Sequence, residues 1–168
     1  MNLGTKIVIV GVSASGKSTF ARKLGNNLHL PVTFMDAIMW KSGWNYIGDE
    51  ETVKKLHEVS EGNEWIIEGY ISKGARTFLF DRADTIIYLD YSRITGVVRY
   101  LKRWWNHRNT PRPELEGSPD KFDWKYLKLI WNKGEAISLN KFLAEVSNQD
   151  KIIRLSSPRE ARGFLEGI

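Results

Sequence analysis

The chain contains no cysteine among its 168 residues, and its three histidines, His29, His57 and His107, are widely separated. The lack of cysteine excludes disulfide bonds, a thiol nucleophile and cysteine-ligated zinc. The scattered histidines do not suggest a metal site either. We therefore expect a fold that is held together without disulfides or a metal clip.

Long apolar segments are also missing. No run is long enough to cross a bilayer, and the N-terminus lacks a basic segment followed by a cleavable apolar stretch. We expect a cytoplasmic monomer with no membrane partner. Hydrophobic residues make up 42% of the chain, which at this length provides the core of one globular domain over residues 1–168.

The charge balance is moderately basic, with 25 lysines and arginines against 20 acidic residues, a formal net charge of +5. Clustered cations can indicate nucleic acid binding, because they neutralise backbone phosphates. Much of the excess lies between Arg93 and Lys133 rather than in a tail or a long stripe, and enzymes that transfer phosphoryl groups also need cations around a triphosphate. Composition alone does not choose between these two interpretations.

What the sequence does contain is a G-x-x-x-x-G-K-S-T motif, which directly follows the apolar run Ile7–Val10. This spacing is typical of a phosphate-binding loop, in which the glycines let the backbone direct N–H groups at phosphate oxygens. We expect Lys17 to contact the β- and γ-phosphates of ATP or GTP and Ser18 to ligate Mg²⁺. The predicted nucleotide-binding residues are Gly11, Val12, Ser13, Ala14, Ser15, Gly16, Lys17, Ser18 and Thr19.

Predicted strands alternate with predicted helices, the pattern of a parallel sheet covered by helices on both faces. The first helix is predicted over Lys17–Leu28, and a capping box at Ser157–Glu160 opens the last one. The predicted strands are Lys6–Val10, Pro31–Met35, Trp65–Ile67, Thr85–Leu89 and Lys151–Leu155.

Three of these strands are followed by a carboxylate: Asp36, Glu68 and Asp90. In open α/β sheets the ligand crevice lies at the carboxyl ends of the strands, so all three are candidate site residues. A carboxylate there can hold a metal-bound water or accept the proton of an acceptor hydroxyl. The alternative is that each carboxylate only caps a turn, and this alternative is strongest for Asp90.

A helix is predicted over Ser92–Asn106, where an apolar stripe recurs at helical spacing and is expected to face the core. Arg99 and Arg103 lie four residues apart on a neighbouring face, from which they can reach a phosphate or remain a solvated basic surface. The stripe consists of Ile94, Val97, Val98, Leu101 and Trp105.

Residues 106–121 contain three prolines and no hydrophobic period. A connection this long within a compact domain is typical of a functional lid, and Arg108 and Arg112 favour a lid that closes over phosphates. A helix over Phe122–Val146, bent near Gly134, is predicted to follow.

This order of features resembles the adenylate kinase-like nucleotide kinases, and more closely the bacterial FlaR-like DNA topology modulation proteins. The closer resemblance covers nearly the whole chain, through Met35–Trp44, Trp65–Tyr70, Arg82–Asp90 and Arg112–Gly117. It implies a three-layer α/β fold with five parallel strands, an acceptor-binding insert at about 36–62 and a mobile lid at about 106–121.

The same resemblance suggests roles for individual residues. Glu68 is similar to the aspartate that serves the Mg²⁺ shell in adenylate kinases, Arg99 and Arg103 to the arginines that open the lid, and Arg112 to one on its far side. Gly69 is followed by Tyr70 instead of Phe-Pro-Arg, so the AMP site of that family does not carry over. Candidate acceptor-binding residues are Asp36, Trp40, Trp44, Glu68 and Arg76, where Arg76 is alternatively a surface residue and the tryptophans alternatively pack the insert.

The leading hypothesis is an ATP-dependent small-molecule kinase, of the nucleotide or nucleoside kinase type, that transfers the γ-phosphoryl of MgATP to an acceptor hydroxyl or phosphate, with Lys17, Asp36, Arg99, Arg103 and Arg112 as catalytic residues. A nucleoside monophosphate, a nucleoside and a non-nucleotide small molecule all remain open as the acceptor. The alternative is a DNA-associated regulator that uses its phosphate-binding loop as a nucleotide switch. No helix-turn-helix, zinc finger or single-strand-binding motif supports that alternative.

Overall fold

The computed structural model describes residues 2–71, 73–110, 118–132 and 134–168. Strands and helices alternate along the chain, as the sequence predicts. Their bounds are β1 Lys6–Gly11, α1 Lys17–Leu28, β2 Val32–Phe34, α2 Met35–Met39, β3 Trp40–Lys41, β4 Asn45–Tyr46, α3 Asp49–Ser60, β5 Trp65–Glu68, α4 Lys73–Arg82, β6 Thr85–Leu89, α5 Arg93–His107, α6 Trp124–Asn132, α7 Gly134–Ala144, β7 Ile152–Leu155 and α8 Pro158–Glu166.

Five strands form one parallel sheet in the order β2-β5-β1-β6-β7. This arrangement confirms the predicted fold class. The register pairs Ile9 and Phe34 with Glu68, and Gly11 with Leu89. The ends of β1, β2 and β5 therefore meet at one edge of the sheet, with the phosphate-binding loop beside them.

The sheet separates two hydrophobic clusters, because successive side chains of a strand point to opposite faces. Val8 and Val10 of β1 face the cluster that includes residues of α3, α4 and α7, whereas Ile7 and Ile9 face the cluster that includes residues of α1 and α8. All four side chains are buried. Burial on both faces explains the uninterrupted apolar run in the sequence, which is typical of parallel sheets.

The predicted insert consists of α2, a short antiparallel hairpin and α3. Trp40 pairs with Tyr46 in that hairpin, and Lys41 with Asn45. Asp36 lies in the first turn of α2, directly after β2, which places it at the edge of the sheet where the loop lies.

The predicted orientation of α5 is wrong. Ile94, Val98 and Trp105 are exposed by 66%, 58% and 63%, whereas Gly96 and Tyr100 form the buried face. The inner side of the helix packs against α6 and the phosphate-binding loop, and it is lined by small, aromatic and cationic residues. Periodicity identified an apolar face but could not tell whether the rest of the fold covers it.

Within the range of the helix predicted over Phe122–Val146, the structure has helical residues in α6, Trp124–Asn132, and in α7, Gly134–Ala144. Residue 133, beside the bend that the sequence indicated at Gly134, lies outside the described residues. None of the helices in the described part of the chain is long and apolar enough to span a membrane.

Candidate active site

The phosphate-binding loop connects β1 to α1, with its backbone curled as the motif predicts. Gly16 adopts a φ of +87°, and a Cβ at this position would lie 2.7 Å from Nη1 of Arg99. Ser15 N donates to Val12 O at 3.1 Å, which closes the turn. A glycine at position 16 thus permits both the backbone conformation and the close approach of an arginine.

Lys17 lies at the start of α1 and folds back over the loop. Its Nζ donates to the carbonyl oxygens of Gly11 and Val12, each at 3.0 Å. Burial lowers the pKa of Lys17, while the negative charges of Glu68, Glu135 and Asp36 act in the opposite direction. The site therefore combines one cation that is costly to desolvate with three carboxylates that favour its charged form.

Glu135, in the first turn of α7, is a site residue that the sequence analysis missed. Its carboxylate accepts hydrogen bonds from Ser13 N at 2.7 Å and from Ser13 Oγ at 2.8 Å. The phosphate-binding loop thus already has an anion at one of its backbone donors. The sequence shows that a glutamate follows the predicted lid, but no local pattern indicates that this glutamate contacts Ser13.

Two arginines of α5, Arg99 and Arg103, line the same cleft as the loop, and Arg99 contacts the loop directly. Arg99 donates to Ser15 O, and its guanidinium carbon lies 5.0 Å from the centre of the Tyr91 ring. Arg103 is mostly buried and lies 3.2 Å (Nε to Oδ2) from Asp120. Burial alone lowers the pKa of Arg103, but Tyr126, Asp120 and Asp36 more than offset that effect and raise it, so Arg103 remains a cation.

A cleft of about 1310 Å³ joins these parts. The loop contributes one wall, the carboxylates at the strand ends contribute the floor, and α5 contributes cations. The predicted site residues that line the cleft are Ser13, Ala14, Gly16, Lys17, Ser18, Thr19, Asp36, Trp40, Trp44, Glu68, Arg99 and Arg103.

The aromatic residues of the insert pack against one another and also line the cleft. Trp40 packs against Trp44 and Tyr46, with ring centroids 5.7 Å and 5.3 Å apart, and Trp44 Nε1 donates to Pro119 O at 3.1 Å. Trp40 and Trp44 also line the cleft. They therefore hold the hairpin together and present an aromatic surface to the site.

The residues that line the cleft do not include three predicted loop residues, Gly11, Val12 and Ser15, or two other candidates, Arg76 and Asp90. Arg76 is buried, donating to Ile71 O at 2.8 Å and to Ser138 Oγ at 3.4 Å, so the structure does not place it where an acceptor would bind. Asp90 pairs with Arg154 at 3.4 Å. Another candidate, Arg112, lies outside the described residues, together with the rest of segment 111–117 of the predicted lid.

A comparison with curated proteins found a shikimate kinase from Rhodococcus jostii (strain RHA1). It is 32% identical over 143 residues, which cover 76% of this chain and 79% of the relative. No family model matches the chain.

Solved kinase structures share the fold. A gluconokinase from Sinorhizobium meliloti 1021 aligns with a TM-score of 0.56 and 17% identity, covering 98% of this chain and 93% of its own. A shikimate kinase from Bacteroides thetaiotaomicron aligns with a TM-score of 0.60 and 18% identity, covering 97% and 95%. A putative kinase from Chloroflexus aurantiacus J-10-fl aligns with a TM-score of 0.60 and 17% identity, covering 98% and 96%.

Proposed function

The chain belongs to the shikimate kinase-like family of P-loop kinases, and on that premise we propose that it phosphorylates a hydroxyl group of a small, non-nucleotide metabolite. As a member of this family it is an ATP-dependent phosphotransferase. Relatives and structural neighbours are named for shikimate and gluconate, which are both small hydroxylated molecules. A nucleoside or a nucleoside monophosphate is the competing acceptor class.

The nucleotide end of the cleft supports phosphoryl transfer from ATP, because Lys17 and the loop provide hydrogen-bond donors for its phosphates. The amides of the loop and the N-terminus of α1 favour anions, and Arg99 adds a cation directly against the loop. These groups would bind and orient ATP with its terminal phosphate directed toward Asp36 and Glu68.

The donor set also fits Mg²⁺, an ion that prefers oxygen ligands and is usually held by one or two carboxylates together with substrate phosphates. Ser18 and Glu68 both line the cleft, and Glu68 is near enough to Lys17 to influence its pKa. These two residues would hold the ion, which supplies charge neutralisation when bound.

Asp36 is the proposed acceptor-binding residue and proton acceptor. It lies in the same cleft as Trp40 and Trp44, and its charge influences both Lys17 and Arg103. In this position its carboxylate can bind the acceptor hydroxyl and take up its proton as the hydroxyl oxygen bonds to the γ-phosphorus and the bond from that phosphorus to the bridging oxygen of ADP breaks. The two tryptophans would contact the acceptor carbon skeleton and exclude water.

Arg99 and Arg103 have a separate proposed role, which is to stabilise the charge on the transferring group. Planar guanidinium groups provide paired donors for phosphate oxygens. Both arginines come from one helix, so they are positioned together. Arg112 would add a third such group from the lid.

The test measures ATP consumption with Mg²⁺ against small hydroxylated acids and sugars, nucleosides and nucleoside monophosphates. We expect stimulation by the first group only. Lys17→Ala should lower turnover by about a hundredfold or more, because an electrostatic contact to the phosphates is lost. Lys54→Ala removes an exposed lysine of α3 and serves as the control.

Four outcomes would contradict the proposal. Stimulation by a nucleoside or a nucleoside monophosphate alone would assign the competing acceptor class. Turnover that survives in Lys17→Ala would remove the loop from the reaction. ATP binding without stimulation by any acceptor would favour a nucleotide switch, as would duplex DNA binding that is insensitive to loop substitutions.

A further inference from the structure

Helices α5 and α6 present an apolar surface that nothing in the described structure covers. On α6, Trp124 and Trp131 are exposed by 73% and 50%. On α5, four of the five residues of the stripe that was expected in the core are exposed. We call this surface the tryptophan face, and define it as Ile94, Val98, Leu101, Trp105, Trp124 and Trp131.

The two helices form one continuous surface. The Ile130 side chain of α6 packs so closely against the Gly96 backbone of α5 that a Cβ at Gly96 would lie 2.8 Å from Ile130 Cγ2. At one end, the Arg93 guanidinium lies 5.5 Å from the Trp131 ring. At the other end, consecutive ring contacts of 6.2, 5.1 and 4.9 Å link Trp105, Trp104, Phe122 and Trp124.

The charged side chains on the two helices that carry the tryptophan face are all cationic. Neither α5 nor α6 contains an acidic residue. Exposed cations accompany the apolar residues on both helices, among them Arg93, Lys125 and Lys128, and Arg108 stacks on Trp105 at 3.7 Å. The nearby Asp123 accepts from the Lys125 amide. A partner of this face must therefore be both apolar and anionic.

We propose that the tryptophan face binds the surface of an anionic lipid bilayer. Aliphatic and tryptophan side chains flanked by lysine and arginine form the pattern of helices that lie in a membrane interface, with their apolar side toward the acyl chains. Tryptophan is enriched at this depth because its ring is apolar and its N–H is polar. The cations would contact the lipid phosphates.

A second copy of the chain fits this surface less well. A symmetric dimer places the same patch on both sides of the interface, so the cations of one subunit would face those of the other. Such like-charge contacts oppose association. Nucleic acid also fits less well, because Ile94, Val98 and Leu101 neither stack on bases nor bind phosphate.

This proposal revises the expectation of no membrane partner. That expectation depended on the absence of a membrane-spanning run and of a basic segment followed by a cleavable apolar stretch at the N-terminus. Binding to a bilayer surface needs no spanning segment, and the structure places the stripe on the outside.

The experiment measures sedimentation of the protein with vesicles of phosphatidylcholine alone and of phosphatidylcholine containing phosphatidylglycerol. We expect binding only to the anionic vesicles, with affinity that falls as salt increases. Trp124→Ser should weaken binding about tenfold, which corresponds to about 1.4 kcal/mol. Brominated acyl chains should quench tryptophan fluorescence in the unchanged protein more strongly than in this variant.

Matched charge variants separate a specific face from general adsorption of a basic protein. Lys128→Glu and Lys54→Glu change the net charge equally, but only Lys128 lies on α6. We expect Lys128→Glu to weaken vesicle binding much more. Kinase turnover should be unchanged in both variants and in Trp124→Ser, which shows that they are folded.

The proposal is overturned by any of three results. One is no binding to anionic vesicles. Another is equal weakening by the two lysine variants with no effect of Trp124→Ser. The third is a dimer in sedimentation velocity that Trp124→Ser dissociates, because the tryptophan face would then be a contact between copies of the chain.

Discussion

Glu135 is an unusual neighbour for a phosphate-binding loop, because its own carboxylate is an anion and lies against a loop that binds anionic phosphates. Its hydrogen bonds to Ser13 occupy a backbone donor of that loop. A nucleotide must either displace this carboxylate or bind beside its charge. The contact therefore opposes ATP binding electrostatically.

Replacing Glu135 with glutamine keeps an oxygen acceptor for Ser13 but removes the negative charge. We expect the Kd for ATP to fall by about threefold to tenfold, or roughly 1 kcal/mol, as for one unit charge near a bound anion at moderate dielectric. Isothermal titration calorimetry measures this change directly. Glu145→Gln, an equal charge change at an exposed position after α7, should leave the Kd within about twofold. Weaker binding of ATP to the Glu135→Gln variant would instead show that the carboxylate positions the loop for the nucleotide.

Lys17 leads to a prediction about pH. Burial lowers its pKa from the ordinary value of 10.5. Only the protonated amine attracts phosphate. As the pH rises, Lys17 should therefore begin to lose its proton at a lower pH than an ordinary lysine, and the affinity for ATP should fall with it. Titrations with ATP between pH 7 and pH 10 should show this decline in the wild-type protein.

The control for this pH profile is Lys17→Arg, because a guanidinium stays charged across that range. This variant is expected to bind ATP more weakly but with a nearly constant Kd. If the wild-type affinity is as constant as that of the variant, titration of Lys17 does not control binding.

At the scale of elements, α5 carries both the arginines of the site and the tryptophan face. Its position depends on the close contact between Gly96 and α6. We expect Gly96→Ala to lower the free energy of unfolding by about 1 kcal/mol, because an added methyl group meets the stiff Ile130 side chain at 2.8 Å. Urea denaturation measures this change.

Gly74 in α4 is the matched control for that substitution. A Cβ there meets nothing within 4 Å, so Gly74→Ala should be neutral or raise the free energy of unfolding by up to about 1 kcal/mol through helix propensity alone. If both variants gain stability, the two helices are not in tight contact at Gly96.

Elements also show where sequence reasoning succeeds. The strands and the nucleotide loop were predicted correctly, because their signals are local: continuous apolar runs for strands buried on both faces, and a fixed spacing for the loop. The outward direction of α5, the buried position of Arg76 and the contact between Glu135 and Ser13 all depend on which helices pack together. A single sequence does not encode such packing in any local pattern.

At the scale of the whole molecule, one sheet separates two hydrophobic clusters, and the site lies at one edge of that sheet. Because β1 contributes buried residues to both clusters, neither can unfold while the other stays intact. We therefore predict that residues 1–168 unfold as one domain, in a single calorimetric transition. Equality of the calorimetric and van't Hoff enthalpies tests this prediction.

Nucleotide binding should shift that transition as a unit, because the loop joins β1 to α1 and so touches both clusters. At a ligand concentration of about 100 times Kd, MgATP stabilises the folded state by about 2.7 kcal/mol. For a chain of this size that corresponds to an increase in Tm of roughly 5–10 °C. Lys17→Ala should show little or no increase at the same concentration. Two transitions, of which ATP moves only one, would mean that the nucleotide site and the remaining core belong to separate folding units.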